Sequence, residues 1–135
     1  MGRGVVLGLL VGVGGVSAAA FQQPAAAPQE KVVTVEKVKD NLFVMRGGGG
    51  NSAVFITATG VVVVDTKNPG WGQPLLDMIK TVTDKPVTMI INTHTHGDHV
   101  SGNVEFPATV DVVVQENTKA NMSADSMFTD TESLV

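Results

Sequence analysis

Two apolar runs, residues 61–64 and residues 87–91, enclose a segment with helical periodicity, and together they leave few architectures open to this chain; Thr88 is the one polar residue within them. A run of valine and isoleucine that does not alternate with polar residues is typical of a strand buried on both faces of its sheet. The intervening segment starts at Trp71, ends at Asp84-Lys85-Pro86 and carries apolar side chains at helical spacing: Leu75, Leu76, Ile79 and Val82. A strand, a helix and a strand in this order predict a right-handed crossover and a parallel strand pair, and hence an α/β fold.

Shorter apolar stretches predict further elements on both sides of this unit. Strands are expected over residues 32–38, 42–45, 52–57 and 110–114, and a last helix over residues 117–122. The first two strands are separated by the turn residues Asp40 and Asn41, which favour an antiparallel pair. Four glycines, residues 47–50, lie between the strand expected over residues 42–45 and the strand expected over residues 52–57. They predict a flexible hairpin rather than a phosphate-binding loop, because a phosphate loop opens a helix.

All three histidines of the chain lie in one heptapeptide, Thr93-His94-Thr95-His96-Gly97-Asp98-His99, directly after the second apolar run. His94 and His96 are two residues apart, so in an extended loop their imidazoles project to the same side and can chelate one metal ion. Asp98 and His99 are consecutive and are expected to point to different sides, an arrangement suited to a second, adjacent ion. An exposed polar loop is the alternative. Ligand spacing at a strand end, where open α/β sheets place their sites, favours metal binding.

The heptapeptide resembles the H-x-H-x-D-H motif of the metallo-β-lactamase superfamily. The resemblance also includes the strand that ends in Asp65, the helix after it, and the strand of residues 90–92 that leads into the motif. It covers about residues 32–122 of the chain. The resemblance implies an α/β (α+β) fold of the αββα sandwich type, of which this sequence would hold the N-terminal half.

The same resemblance implies a hydrolase that uses two zinc ions. His94 and His96 would bind one zinc, Asp98 and His99 would bind the other, and Asp65 would lie near the motif loop, next to the ligands rather than on a metal. A plain carboxylate in the turn after the strand is the alternative for Asp65. A hydroxide activated by the metals would attack an electrophilic centre of a small-molecule substrate, such as a β-lactam, a thioester or a lactone. Asp98 would also be catalytic, because it would orient that hydroxide.

The sequence departs from the family pattern after the motif, because no histidine follows His99. Each zinc would have two protein ligands here, where a catalytic zinc usually has three. The apolar runs also need cover on both faces, whereas the sequence predicts one clear helix and one short helix. Two functions therefore stay open. One is a zinc-dependent hydrolase of which this sequence is a part. The other is a non-catalytic metal-binding or vestigial fragment, which is either a truncated product or a chain that pairs with a copy of itself.

The N-terminus predicts export of the protein. Arg3, an apolar run over residues 5–16 and the small residues up to Ala20 are typical of a secretory signal peptide over residues 1–20. Residues 21–31 predict a flexible spacer, and residues 123–135 predict an irregular tail. We therefore expect a periplasmic or secreted protein that has no stable membrane span after cleavage. The oligomeric state stays open.

Charge and residue type exclude several other functions. A net charge of −4 offers no basic surface for nucleic acid, and the chain has no cysteine to form a disulfide or a thiolate ligand. Ser52 and Ser101 have no general base apart from the motif histidines, which argues against a serine nucleophile. Trp71 is expected to pack at a helix start. Solvated charges are expected at three lysines: Lys67, Lys80 and Lys85.

Overall fold

The predicted parallel pair forms part of a six-stranded sheet in a computed structural model that describes residues 30–124. The strands follow one another across the sheet in chain order: β1 (Thr34–Lys39), β2 (Leu42–Arg46), β3 (Ser52–Ile56), β4 (Val61–Val64), β5 (Val87–Asn92) and β6 (Asp111–Val114). The helices are α1 (Gly72–Lys80), α2 (Gly97–Val100) and α3 (Glu116–Ala124), with a 3₁₀ helix over Ser101–Glu105. β1 to β4 pair antiparallel, whereas β4, β5 and β6 pair in parallel. The predicted order of strands and helices is confirmed.

One face of the sheet carries the core. Ile90 pairs with Val63 on one side and with Val112 on the other, and Val63 pairs with Val54. All four side chains are buried and belong to one cluster with Leu75 and Ile79 of α1. Burial of each such side chain contributes about 1.5–3 kcal/mol to folding. Met122 of α3 packs against Val114, which shares this face, so both long helices cover the same side of the sheet.

The opposite face of the sheet is apolar and partly open to solvent. Phe55, Ile91 and Val113 lie on it with 42, 36 and 36% of their surface exposed. The two valines of β4 on this face, Val62 and Val64, are only half-buried. Burial of the β4 valines on both faces was predicted and is wrong for residues 30–124, because both long helices cover the other face. The expected shortage of covering structure is confirmed within the same residues.

Helix α1 depends on a carboxylate from a distant part of the chain. Its N-cap residue, Trp71, makes no side-chain cap bond. Glu105 accepts hydrogen bonds instead from the backbone N–H of Gly72, at 3.1 Å, and of Gln73, at 2.9 Å. These donors have no partner inside the helix, and a negative charge at a helix N-terminus is favourable. The helix ends at Lys80, so Val82 was wrongly included, although Val82 still packs against the core.

We expect Glu105→Ala to lower the free energy of unfolding by about 1 kcal/mol, the usual effect of losing a helix N-cap. Urea unfolding followed by circular dichroism measures the change. Glu36→Ala is the control, because Glu36 pairs with Arg46 at the exposed surface of the sheet and such pairs contribute little. Equal losses in the two variants would contradict the capping role of Glu105.

Parts of the chain lie outside the described residues. The predicted signal peptide, residues 21–29 of the predicted spacer, and residues 125–135 of the predicted tail belong there. Inside the described range, α3 continues through Ala124, so the irregular tail does not begin at residue 123. Lys31 is held at the sheet end, where its ammonium donates to the carbonyl of Gly70 at 2.5 Å. Among residues 30–124, no helix has the length and apolar character needed to cross a membrane.

Candidate metal centre

The histidine heptapeptide lies at the carboxyl ends of the parallel strands. β5 ends at Asn92, residues 93–96 form a short loop, and α2 begins at Gly97 with His96 as its N-cap residue. α2 is anchored because Val100, its last residue, is fully buried and packs in one cluster with Met122 of α3. The sequence therefore folds this segment as a short loop and one helical turn above the core.

The three imidazoles form one cluster. The ring centroid of His94 lies 4.6 Å from that of His96 and 4.2 Å from that of His99. His94 Nε2 and His96 Nδ1 are 3.1 Å apart. The prediction that His94 and His96 project to the same side is confirmed, because their nitrogens lie within hydrogen-bond distance.

Asp98 and His99 also lie side by side. Asp98 Oδ2 is 3.4 Å from His99 Nε2, so the prediction that these two side chains point to different sides is wrong. Both residues belong to α2, where consecutive residues differ by about 100° in direction, whereas in a strand they point to opposite faces. The helical turn therefore brings Asp98 and His99 together as a second donor pair.

The distances within the two pairs fit metal binding. Two ligand atoms that share a tetrahedral zinc at about 2.0–2.1 Å lie roughly 3.3 Å apart. The observed separations are 3.1 Å for His94 and His96 and 3.4 Å for Asp98 and His99. Over residues 30–124, however, no group of three or more histidine, aspartate or glutamate side chains could hold an ion. Within the described residues, the four side chains thus form two pairs of candidate ligands and no larger set.

Asp65 orients His99 from beneath the motif. Its buried carboxylate accepts hydrogen bonds from the backbone N–H of Thr93 at 2.8 Å and from the Thr93 hydroxyl at 2.7 Å. The same carboxylate lies 2.7 Å from His99 Nδ1. A proton held on Nδ1 by a carboxylate leaves the lone pair of Nε2 free for a metal, as with the outer partners of metal-binding histidines. The structure thus places Asp65 in contact with a motif histidine, near the motif loop.

We expect Asp65→Asn to weaken metal binding at Asp98 and His99 by about 10–100-fold. The amide oxygen of the variant would be needed by the N–H of Thr93, so its NH₂ group would face His99 and favour the proton on Nε2. Competition between the protein and a coloured chelator for zinc measures the affinity. Asp77→Asn is the control, because Asp77 lies exposed on α1. The expectation fails if both variants bind zinc as tightly as the wild type.

A buried polar network lies below His99 and was not predicted. Thr66 donates from its hydroxyl to Asn103 Oδ1 at 2.6 Å, and Asn103 donates from Nδ2 to Asn92 Oδ1 at 2.7 Å. The backbone carbonyl of His99 accepts from the N–H of Thr66 at 2.7 Å and from Asn92 Nδ2 at 3.3 Å. Asn92 and Asn103, 11 residues apart, are both buried. The network fixes the backbone that carries His99, since buried polar groups are costly without partners.

Lys80 and Lys85 are exposed, as expected for solvated charges. The same prediction is wrong for Lys67, which is buried. The ammonium of Lys67 donates to the carbonyls of Met45 and Gly50, both at 3.0 Å. Burial lowers the pKa of Lys67 from 10.5 to about 8, because the charged form loses its hydration. The backbone has left-handed φ values of 62° at Asp65 and 77° at Lys67, which the sequence does not reveal because such residues prefer negative φ.

The lowered pKa of Lys67 predicts a specific dependence of stability on pH. Between pH 8 and about 10.5, the unfolded chain still binds the proton that folded Lys67 releases. The free energy of unfolding should therefore rise with pH across this window, relative to Lys67→Met. Urea unfolding of both proteins at pH 7, 8, 9 and 10 measures the difference. A difference that stays constant over these pH values would contradict the prediction.

The tetraglycine segment forms the predicted hairpin between β2 and β3, but it is packed against its neighbours rather than free as a flexible loop. Gly48 has a φ of 75°, and a side chain at this position would collide with the ring of Trp71. A Cβ atom at Gly50 would lie 2.5 Å from Cε1 of His99. Glycine is required at both positions by close contact with the helix start and with the motif. Trp71 is a packing residue, as predicted.

The sheet, the crossover helix and the histidine loop define a class of protein, namely a mixed α/β protein with a cluster of candidate metal ligands at the carboxyl ends of its parallel strands. The sequence profile of the metallo-beta-lactamase superfamily matches residues 45–123, which is more than half of the chain. The chain therefore belongs to the metallo-beta-lactamase superfamily. The resemblance seen in the motif and the expected fold are confirmed.

Solved structures with the same fold include several hydrolases. A metallo-beta-lactamase from Pontibacter korlensis has a TM-score of 0.64 and 24% identity, over 70% of this chain and 49% of that one. BJP-1, a subclass B3 metallo-beta-lactamase of Bradyrhizobium japonicum, has a TM-score of 0.60 and 26% identity, over 66% and 35%. The sec-alkylsulfatase Pisa1 from Pseudomonas sp. has a TM-score of 0.60 and 19% identity, over 69% and 16%. This chain thus spans half or less of each of these proteins and contains part of their fold.

Proposed function

We propose that this chain contributes the motif-bearing part of an exported, zinc-dependent hydrolase. The proposal rests on the two ligand pairs after β5. Donor atoms of His94 and His96 lie 3.1 Å apart, and those of Asp98 and His99 lie 3.4 Å apart. The carboxylate of Asp65 lies 2.7 Å from Nδ1 of His99. His94 and His96 would hold one zinc, and Asp98 and His99 would hold the other. Zinc, when bound, supplies Lewis-acid chemistry and makes water a nucleophile at neutral pH.

The side chains of the chain itself would prepare this chemistry in distinct ways. Asp65 keeps the proton of His99 on Nδ1, so that Nε2 faces the site. Asp98 is the proposed catalytic residue. Its side chain is 45% exposed, so its carboxylate can accept a hydrogen bond from an attacking water molecule. The buried polar network below His99 would limit movement of the motif during the reaction.

The proposed substrate is a small molecule with an electrophilic centre. The similar structures are named as β-lactamases and as an alkylsulfatase, and these names support a compact ester-like or amide-like group. We propose β-lactams, thioesters and lactones as the substrate classes. We add sulfate esters because one similar structure is named as an alkylsulfatase. The leader-like residues 1–20 support action in the periplasm or outside the cell, and the net charge of −4 disfavours nucleic acid as a substrate.

Zinc content and hydrolysis test the proposal together. Both should be measured on the complete product of the natural reading frame and on the 135-residue chain, with chromogenic β-lactam, thioester, lactone and sulfate-ester reporters. We expect the complete product to bind two zinc ions and to hydrolyse at least one reporter. The 135-residue chain, which offers two ligands for each proposed ion within residues 30–124, should bind less zinc and turn over none. A complete product that binds no zinc would overturn the proposal.

A second candidate function follows from the open face of the sheet. Phe55, Ile91 and Val113 expose apolar surface on one continuous face, which supports a non-catalytic metal-binding chain that pairs with a copy of itself. Zinc binding by the complete product without hydrolysis of any reporter would favour this function. Sedimentation over a range of concentrations would then show a monomer–dimer equilibrium, and Phe55→Asp should shift it toward the monomer.

A further inference from the structure

Three consecutive residues after β4 each hold a different part of the surroundings of His99. The carboxylate of Asp65 contacts the imidazole of His99, and the N–H of Thr66 donates to the backbone carbonyl of His99. Lys67 does not touch His99, but its ammonium binds the tetraglycine loop that packs against the ring. We propose that Lys67 is a positioning residue that clamps the tetraglycine loop over His99 and so forms one wall of the candidate metal centre.

The contacts of Lys67 close the base of the loop. Its ammonium donates to the carbonyl of Met45, before the four glycines, and to the carbonyl of Gly50, the last of them. In the described part of the chain, Lys67 forms no ion pair with a carboxylate. The side chain is fully buried, so the two carbonyls take the place of water around the ammonium. Hydrogen bonds that involve a charged group are stronger than neutral ones.

The loop in turn contacts the motif directly. The N–H of Gly50 donates to the carbonyl of Asp98 at 3.1 Å, and Gly50 approaches His99 so closely that a methyl group would not fit. The carbonyl of Gly48 accepts from the N–H of Asn68, next to Lys67, at 2.9 Å. Movement of the loop would therefore release the backbone of Asp98 and remove a close contact with the His99 ring.

A role in core packing alone does not explain a lysine at this position. A buried ammonium is costly, and an apolar side chain of similar length would fill the same space without that cost. The left-handed backbone at Asp65 and Lys67 is strained for residues other than glycine, and such conformations concentrate at functional sites. An effect of Lys67 on zinc binding rests on the proposed function. The restraint of the tetraglycine loop by Lys67 does not depend on that function.

Amide hydrogen exchange in the zinc-free protein tests the clamp. Lys67→Met should raise the exchange rate of the Gly50 amide by at least about tenfold relative to the amides of Ile90 and Ile91. Lys67→Arg, which can still donate to the carbonyls, should restore part of the protection. Lys85→Met is the matched control, because Lys85 is exposed and donates only to the carbonyl of Thr57. An unchanged Gly50 exchange rate in Lys67→Met would overturn the proposal.

A measurement on the wild type covers the case in which Lys67→Met does not fold. Saturating zinc should slow acetylation of Lys67 by acetic anhydride about tenfold and leave Lys85 unchanged, because a ligand that binds the closed site reduces its opening. Equal acetylation of Lys67 with and without zinc would overturn the link between clamp and site. Equilibrium dialysis of the wild type shows separately whether zinc binds at all. A protein that binds no zinc contradicts the proposed function, while the Gly50 exchange rate still decides the clamp.

Discussion

His96→Ala should abolish zinc binding by the pair of histidines that opens the motif. In the structure, His94 Nε2 and His96 Nδ1 lie 3.1 Å apart, and removal of one ring leaves a single imidazole that cannot chelate. The loss in affinity should exceed the roughly 10–100-fold that follows from losing only an outer partner of a ligand. Elemental analysis after dialysis against a fixed concentration of free zinc measures the difference.

Ser101→Ala is the control for His96→Ala. Ser101 lies two residues after His99, and its buried hydroxyl has no hydrogen-bond partner in the described part of the chain. Alanine at this position removes an unpaired polar atom and little volume, so folding and zinc content should both remain unchanged. Equal zinc content in wild type and His96→Ala would refute the assignment of His96 as a ligand.

The motif and the fold could be predicted because both depend on local pattern. Apolar runs and helical spacing are properties of neighbouring residues, and they predict a strand that ends directly before the motif. The pairing of Asp98 with His99 depends instead on the single turn α2. No apolar periodicity marks so short a helix, so the sequence pattern alone indicates an extended loop at this position.

The supports of the site could not be predicted because they are contacts between distant residues. Glu105 reaches Gly72 across 33 positions of sequence, and Lys67 reaches Met45 across 22. A lysine is usually exposed, so residue type alone argued for a solvated charge at Lys67. Lys67 is buried instead, in a turn after β4 where Asp65 and Lys67 have left-handed backbone. Neither residue is a glycine, so the sequence does not indicate this turn.

Two neighbouring isoleucines should differ sharply in their effect on stability. Ile90→Ala should lower the free energy of unfolding by about 2–5 kcal/mol, because Ile90 is fully buried between Val63 and Val112 in the core cluster. Domains of this kind are stable by only about 5–15 kcal/mol, so the variant would lose a large part of its stability. Urea unfolding with a common slope for all variants measures the change.

Ile91→Ala is the matched control and also reports on the opposite face of the sheet. Ile91 is 36% exposed within residues 30–124, so we expect its truncation to lower the free energy of unfolding by less than about 1.5 kcal/mol. A loss as large as that of Ile90→Ala would mean that another layer covers Ile91 in solution. If that loss grew with protein concentration, the covering layer would be a second copy of the chain, since the stability of a dimer depends on concentration. A large loss independent of concentration would require the cover to come from the same polypeptide. This outcome would favour the hydrolase over the self-associating fragment.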